Sequence, residues 1–281
     1  MSHGLPSVAA VRRVFDTRAA DFHQYAFVHD EVRRRLLDRL EGVNVAPQRM
    51  LDVGCADGRA AAALTQRFPA AELMMLDASW EMARKARSGG GQVINAALPQ
   101  LPLVDGCLGL VFANLCLPYC DNVRGALMAV ARVLEPGGLF AFATLGPDSF
   151  QELQLARAAL GQEVRPVFAD MHHLGDALVG SGMTDPVLDV DTLEVSYRDW
   201  PTLWRELIGS GSAPGQSPTG GLFAGPGPSL ALEAAYPRVD DERPYHVTLE
   251  LVFGHAWRSG PTTAMAGPHE VTVPVPTIKS R

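Results

Sequence analysis

The stretch LDVGCADGRAA at residues 51–61 constrains the fold most, because an apolar run passes through two glycines into an alanine-rich segment. This order is typical of a β-strand that turns sharply into an α-helix. Similar units recur along the first half of the chain, and repeated βα units predict a parallel sheet with helices on both faces. The predicted strands are 50–53, 72–76, 92–94, 108–113 and 139–143, the helices are 57–67, 80–87, 122–134 and 148–160, and EPGG at 135–138 is a turn.

The two ends of the chain have different patterns. Apolar residues recur every three or four positions within residues 7–40, which predicts one or two helices before the first strand. Two later segments, 186–197 and 245–257, are rich in β-branched residues and are predicted as strands. Between them, residues 209–228 contain seven glycines and four prolines, so we expect a mobile loop there.

Asp77 indicates a nucleoside site. It lies in LMMLDAS, nineteen residues after Gly58, at the end of the second predicted strand. An acidic residue at about this distance from a glycine turn is typical of doubly wound nucleotide-binding folds, where its carboxylate accepts hydrogen bonds from a ribose. A glycine turn alone is equally typical of a tight strand-to-helix connection, but Asp77 and the later strands favour the nucleoside.

The spacing of the turn argues against a dinucleotide. Gly54, Ala56 and Gly58 give G-x-A-x-G instead of G-x-G-x-x-G. A pyrophosphate beside Asp57 would also be repelled, at a cost of roughly several kcal/mol at an effective dielectric near 20. A cationic nucleoside without phosphate would avoid this repulsion. S-adenosylmethionine is such a ligand; Asp52 and Asp57 suit its positive methionine end, and Asp57 is expected to cap the next helix.

Several stretches carry a family resemblance. LDVGCADG, LMMLDAS, LGLVFANLCLPYCDN and ARVLEPGGLFAFATLGPDSFQEL resemble class I S-adenosylmethionine-dependent methyltransferases. VFDTRAADFHQYAFVH, TLGPDSFQEL, PVFADMHHLGDALVGSGMTDPVLDVD and ELVFGHAW are similar to the malonyl-[acyl-carrier protein] O-methyltransferases of the biotin pathway. The resemblance covers nearly the whole chain. It implies methylation of the free carboxyl of a malonyl thioester on an acyl carrier protein, which masks a charge so that the chain can be elongated toward pimeloyl.

The resemblance also implies the architecture. The expected fold is α/β, with a Rossmann-like seven-stranded sheet, N-terminal helices, and a helical lid inserted between the last two strands. The expected divisions are an N-terminal helical cap at 1–48, a cofactor-binding core at 49–197, a flexible lid at 198–240, the last core strand at 241–258 and a C-terminal tail at 259–281.

The site residues are expected at the glycine turn and at strand ends. The expected cofactor-binding residues are Asp52, Gly54, Cys55, Ala56, Gly58, Asp77, Ala78, Ala97, Leu98 and Asn114. Phe22, Tyr25 and Tyr119 are expected to contact the acceptor, although Phe22 and Tyr25 also suit an ordinary core, and Asn114 also suits a turn cap. No general base is nominated, because a carboxylate nucleophile is already ionised at neutral pH and needs alignment and exclusion of water.

Some positions depart from the pattern that the resemblance implies. Ala56 stands where a glycine is usual, Ala97 where an acidic residue is usual, and Leu108-Gly109 where FD is usual; Phe22 replaces a tyrosine. One lost neutral hydrogen bond at Ala97 costs about 1 kcal/mol, so cofactor binding is expected to weaken several-fold. Another small carboxylate, a quinone precursor, or a non-catalytic carrier or assembly protein stay as alternatives.

Composition limits the partners and the compartment. The net charge of -7 argues against a general nucleic-acid binder, which concentrates Lys and Arg. No uncharged stretch is long enough to cross a membrane and the N-terminus lacks a signal-peptide pattern, so a cytoplasmic protein is expected. The four cysteines form no paired CxxC motif and are expected to be buried thiols in a reducing compartment. They are Cys55, Cys107, Cys116 and Cys120.

Two polar clusters have ordinary alternatives to a functional role. His172 and His173 lack a third ligand at metal-binding spacing, so we expect helix capping near Asp170 and no metal site. Four arginines would suit an acidic carrier protein, but carboxylates four residues before two of them favour surface ion pairs, with Asp30 facing Arg34 and Glu31 facing Arg35. These arginines are Arg33, Arg34, Arg35 and Arg39.

Overall fold

A computed structural model describes residues 8–162, 168–210, 230–239 and 241–260. Within them, seven strands form one sheet in the order β3-β2-β1-β4-β5-β7-β6. The strands are β1 Arg49–Val53, β2 Glu72–Asp77, β3 Gln92–Asn95, β4 Leu108–Asn114, β5 Leu134–Leu145, β6 Met183–Tyr197 and β7 Tyr245–Arg258. The first five run parallel, and β7 lies antiparallel between β5 and β6. The predicted α/β fold with a seven-stranded sheet is confirmed.

Helices cover both faces of the sheet. They are α1 Val8–Arg18, α2 Phe22–Tyr25, α3 Phe27–Arg39, α4 Ala61–Arg67, α5 Trp80–Ser88, α6 Val123–Val133, α7 Gln151–Ala159, α8 Met171–Gly180, α9 Trp200–Gly209 and α10 Leu230–Ala235. Three of the described helices precede β1, so the prediction of one or two was wrong. The apolar spacing continues through the breaks between these helices because Ala19, Phe22 and Ala26 are all buried in one cluster.

Strand β4 forms the centre of the core. Residues 108–113 are all buried, as expected of a parallel strand with both faces covered. Gly109 has a packing role in this strand, because a Cβ there would lie 2.9 Å from Cα of Pro47 and 3.0 Å from Oε1 of Glu135. Its neighbours therefore leave no room for a side chain at this position, which departs from the family pattern. The strand order reverses between β1 and β4, and ligands bind at such switch points in doubly wound folds.

Two predicted boundaries were wrong. Helix α4 begins at Ala61 instead of residue 57, and its N-cap residue, Ala60, makes no side-chain cap. Asp57 accepts a bond from Nε of Arg59 at 3.1 Å, so its carboxylate pairs with a cation instead of capping the helix. Strand β5 begins ahead of the EPGG turn predicted at 135–138, which forms an irregularity in the pairing with β4.

The insertion between β6 and β7 carries α9 and α10. Trp200 of α9 packs its ring 5.1 Å from the ring of Tyr236 and 5.5 Å from that of Tyr245, so aromatic contacts join the insertion to β7. Residues 211–229, most of the loop predicted to be mobile, lie outside the described residues, as do 261–281 of the predicted tail. None of the helices in the described ranges has the length and apolar character to span a membrane.

The arginines of α3 are paired with carboxylates. Arg35 contacts Glu31 at 2.8 Å, which confirms that predicted pair, and it also reaches Asp191 of β6 at 2.7 Å. The predicted pair of Asp30 with Arg34 was wrong, because Asp30 binds Arg33 and Arg59. The other two arginines also have partners: Arg34 pairs with Glu31 and Asp38, and Arg39 with Asp189. This helix face is therefore an ion-pair network that joins α3 to β6.

Candidate active site

A cavity of about 720 Å³, including its mouth, lies at the carboxyl ends of β1, β2 and β4. We call it the first cavity. The glycine turn after β1 forms one wall, and the N-terminal helices α1 and α2 cover the opening with Val8, Val11, Phe15 and Phe22. The strand ends and the turn therefore form a floor, and the helical cap forms a roof.

The glycine turn requires left-handed backbone at three positions. Gly54 has φ +72, and a Cβ there would lie only 2.5 Å from Cβ of Cys116. Gly58 has φ +84 and packs against α5, where a Cβ would lie 3.2 Å from Cβ of Ala86. Ala56 has φ +48, a conformation that non-glycine residues rarely adopt. The first glycine therefore allows close approach within the site, and the second allows close helix packing.

Asp77 fastens this turn to the end of β2. Its Oδ2 accepts the N–H of Ala56 and its Oδ1 accepts the N–H of Ser79, both at 2.8 Å. The side chain lines the first cavity and is only 9% exposed. Burial raises the pKa of Asp77 to about 6, although its two backbone donors oppose the rise. Both oxygens keep a lone pair for a ligand hydroxyl, as a carboxylate has about four acceptor sites.

Asp52 lies in β1 beneath the turn and is 2% exposed. Its Oδ2 is buried and has no hydrogen-bond partner among the described residues. Burial and the nearby Asp77 raise the pKa of Asp52 to about 7, while Arg33 lowers it. The same surroundings raise the pKa of the Cys55 thiol well above its usual value, so Cys55 stays a thiol. An unpaired buried carboxylate is costly and favours a cationic ligand nearby.

Asn114 ends β4 at the floor of the first cavity. Its Nδ2 donates to the carbonyl oxygen of His29 in α3 at 3.0 Å, while its Oδ1 is buried without a partner among the described residues. Asn114 does not cap the turn that follows it. The N-cap residue of the 3-10 turn Leu117–Tyr119 is Cys116, and no side chain makes a cap bond there. Asn114 thus joins the sheet to the helical cap and leaves an acceptor atom inside the site.

Most of the predicted site residues come together here. The ones that line the first cavity are Gly54, Ala56, Asp77, Ala78, Ala97, Leu98, Asn114, Phe22 and Tyr119. Asp52, Cys55 and Gly58 lie behind this lining, and Tyr25 lies in a neighbouring cavity. Other lining residues, among them Phe15, His29, Ser79 and Cys116, were not predicted from the sequence. Phe15 and His29 belong to the three- and four-residue spacing within residues 7–40. That spacing predicts helices, but it does not indicate that these helices cover the edge of the sheet.

A second cavity, of about 570 Å³, adjoins the first. His29, Leu115 and Tyr119 line both cavities, so they form the boundary between them. The rest of the lining is mainly apolar and comes largely from α3, β6, β7 and α9; its described part contains one carboxylate, Glu206, and no Lys or Arg. Tyr25 also lines this cavity. An apolar chamber with a few polar groups is a typical small-molecule site.

The paired histidines have a structural role. Asp170 accepts the N–H of His173 at 2.9 Å, and its other oxygen lies 2.7 Å from Nδ1 of the same residue. This confirms the capping role, although both histidines lie inside α8 and not before it. Among the described residues, no group of three or more His, Cys, Asp or Glu side chains is arranged to hold a metal. The four cysteines are free thiols, and all but Cys116 are buried.

Comparisons with known proteins agree with this geometry. A family model described as a methyltransferase domain matches residues 51–142. The chain is 35% identical to a malonyl-[acyl-carrier protein] O-methyltransferase of Methylovorus sp., over 89% of this chain and 88% of that protein. It is 36% identical to the protein of the same name from Halorhodospira halophila, over 91% and 90%.

Solved structures support the fold. The YcgJ protein of Bacillus subtilis matches with a TM-score of 0.56 and 16% identity, covering 83% of this chain and all of that one. A SAM-dependent methyltransferase of Thermotoga maritima matches with a TM-score of 0.55 and 17% identity, over 89% of this chain. With the curated relatives above 30% identity along most of the chain, the protein belongs to the malonyl-[acyl-carrier protein] O-methyltransferase family and is an S-adenosylmethionine-dependent methyltransferase.

Proposed function

We propose that the enzyme transfers a methyl group from S-adenosylmethionine to the free carboxyl of a malonyl thioester on an acyl carrier protein, as a step of pimeloyl synthesis for biotin. The observation that carries this proposal is the pair of joined cavities. The first is lined by Asp77 and backed by Asp52, two buried carboxylates that suit a cationic nucleoside. The second is mainly apolar, and its described lining has one carboxylate, Glu206, and no Lys or Arg, so no cation there would weaken an acceptor carboxylate as a nucleophile.

The residues of the first cavity fit the cofactor. Asp52 and Asn114 each have a buried oxygen without a partner among the described residues, and Gly54 lets the turn pack against Cys116, where a Cβ would collide with its side chain. We propose that Asp77 accepts bonds from the ribose hydroxyls, and that the 54–56 backbone and Asp52 hold the cationic methionine end. Ala78, Ala97 and Leu98 would form the adenine side of the cavity. When bound, the cofactor supplies a methyl group on a positively charged sulfur.

The protein contributes alignment and a dry environment. The acceptor carboxylate is already ionised, so no residue has to remove a proton. The apolar walls of the second cavity exclude the water that would otherwise stabilise this nucleophile. Holding the two reactants at the boundary of the cavities replaces a bimolecular encounter with an aligned one. We propose that the described parts of the predicted cap, 8–48, and of the predicted lid, 198–210 and 230–239, form walls that make this exclusion possible.

The acceptor implies the partner, and the free thiols imply the location. An acyl carrier protein is the proposed partner, in agreement with the names of the curated relatives. Each of the four α3 arginines is paired with a carboxylate, so we do not assign carrier docking to that face. We propose a cytoplasmic location, because free thiols persist in reducing compartments.

The test is a methyl-transfer assay followed by mass spectrometry. The enzyme is incubated with S-adenosylmethionine and either malonyl-carrier or acetyl-carrier, which lacks the free carboxyl. We expect the mass of malonyl-carrier to rise by one methylene group and the mass of acetyl-carrier to stay unchanged. Transfer to a succinyl or quinone-precursor acceptor, with none to malonyl-carrier, would refute the proposal in favour of another acceptor.

A further inference from the structure

His29 lies at the point where the two cavities meet. Two polar side chains in the described lining, His29 and Tyr119, border both cavities. The ring of Tyr119 is covered edge-on by Phe15, with ring centres 5.1 Å apart. The His29 imidazole is the other polar group at this boundary, and its Nδ1 is buried without a hydrogen-bond partner among the described residues.

The position of His29 is fixed by its neighbours. Its ring meets Phe22 edge-on with centres 5.2 Å apart, and its carbonyl oxygen accepts the amide of Asn114 at 3.0 Å. The first contact sets the ring, and the second ties α3 to the end of β4. A buried ring nitrogen without a partner costs free energy, which a hydrogen bond to a ligand would recover.

The ring is neutral at physiological pH. Burial lowers the pKa of His29 to about 4, outweighing Asp30 and Asp57, which raise it, while Arg33 and Arg59 lower it further. A neutral imidazole has one N–H donor and one acceptor nitrogen. It can therefore orient an anion through one hydrogen bond without neutralising it, whereas an Arg or Lys would hold the anion more strongly and weaken it as a nucleophile.

A hydrogen-bond donor for an anionic ligand is required in the second cavity and not in the first. The first cavity has Asp77 in its lining and Asp52 behind it for a cationic ligand, whereas the described lining of the second contains Glu206 and offers no Lys or Arg to a carboxylate. On the basis of the proposed function, we infer that His29 orients the acceptor by donating its ring N–H to the carboxylate oxygen that does not receive the methyl group. The other oxygen forms the new O–C bond while the S–C bond breaks with its electron pair going to sulfur, so His29 transfers no proton.

Two substitutions test this role. His29→Phe keeps an aromatic edge against Phe22 but removes the donor, while His29→Gln keeps an N–H donor. We expect His29→Phe to lower kcat/KM for the malonyl thioester about 10- to 100-fold, as expected for a hydrogen bond to a charged group. His29→Gln should retain activity within about fivefold of the wild type, and both variants should bind S-adenosylmethionine within about twofold of the wild type by calorimetry.

Several outcomes would overturn the inference. His29→Phe with wild-type kcat/KM would remove the donor role. Equal losses in folded His29→Phe and His29→Gln would mean that the ring only packs, and a parallel loss of cofactor affinity would make His29 a cofactor contact. A large effect of Tyr119→Phe with none of His29→Phe would assign the role to the tyrosine. If the wild type instead methylates another carboxylate, the proposed function fails, and the same variants on that acceptor still decide the inference.

Discussion

Ala56 is the residue whose backbone and side chain most directly shape the first cavity. It holds φ +48, its N–H binds Asp77, and its methyl lies in the cavity lining. A left-handed conformation costs a non-glycine residue roughly 1–2 kcal/mol. An alanine in place of glycine therefore has two opposing effects on the site. It strains the backbone and narrows the first cavity, but it also restricts the turn to one conformation.

We predict that Ala56→Gly tightens S-adenosylmethionine binding about three- to tenfold, because it removes a methyl from the wall of the first cavity. Isothermal calorimetry measures this change. Ala78→Gly is the matched control, since Ala78 lines the same cavity without a positive φ and should not tighten binding. Equal or weaker binding by Ala56→Gly would contradict the proposed course of the cofactor along the turn.

The raised pKa of Asp52 predicts that the stability of the ligand-free protein depends on pH. Its pKa is about 7 in the folded protein and lies near 4 when unfolded, so between these values the folded state binds more protons. The free energy of unfolding therefore falls as pH rises toward and through 7, by about 1 kcal/mol between pH 6 and pH 8. Urea unfolding of Asp52→Asn should lack this part of the fall. The same pH dependence in wild type and variant would mean that Asp52 is not the responsible group.

At the level of elements, Glu152 holds α7 against β7. The side chain is buried, and its carboxylate accepts the N–H of Thr248 at 3.0 Å and also the Thr248 hydroxyl. These bonds fix the helix that follows β5 to the last strand of the sheet. Both Thr248 groups would lack this partner without Glu152.

We predict that Glu152→Ala lowers the free energy of unfolding by about 1–3 kcal/mol, because it leaves two buried donors unpaired. Gln151→Ala in the same helix is the control, since Gln151 is exposed and should change stability by less than about 0.5 kcal/mol. Urea denaturation of both variants gives the comparison. A Glu152→Ala variant as stable as the control would show that α7 is held by apolar packing alone.

Most strand and helix positions were predictable to within a few residues, whereas the starts of α4 and β5 were not. Continuous apolar runs such as residues 108–113 identify buried strands because both faces are covered. The start of α4 was missed because aspartate is a common N-cap residue, whereas the carboxylate of Asp57 forms an ion pair with the nearby Arg59. The N-terminal breaks were missed for a related reason, since buried residues keep helical spacing across short turns.

On the scale of the whole molecule, the site unites segments that are far apart in the sequence. Motif spacing predicted the sheet-edge residues, such as Gly54 and Asp77, because strand ends in a doubly wound sheet share one edge. It did not predict His29, whose place depends on α3 packing across the end of β4 through Asn114. A local pattern cannot indicate that contact, because 85 residues separate the two partners.

The two raised carboxylate pKa values predict linked proton release. Asp77 and Asp52 have pKa values of about 6 and about 7, and a cationic ligand favours their ionised forms. S-adenosylmethionine should therefore bind more weakly as pH falls from 8 to 5.5, with protons released on binding near pH 6.5. Calorimetry in buffers of different ionisation enthalpy measures this release. Affinity that is independent of pH would contradict a cation held by these groups.

We propose that the first cavity holds the methyl donor while the second holds a carrier-bound malonyl carboxylate. A mass-spectrometric time course of malonyl-carrier with S-adenosylmethionine, run with the wild type and with Asp77→Ala, tests both assignments together. We expect a gain of one methylene group with the wild type and a strongly reduced rate with the variant. An unchanged carrier mass with the wild type, under conditions in which calorimetry records cofactor binding, would contradict this proposal.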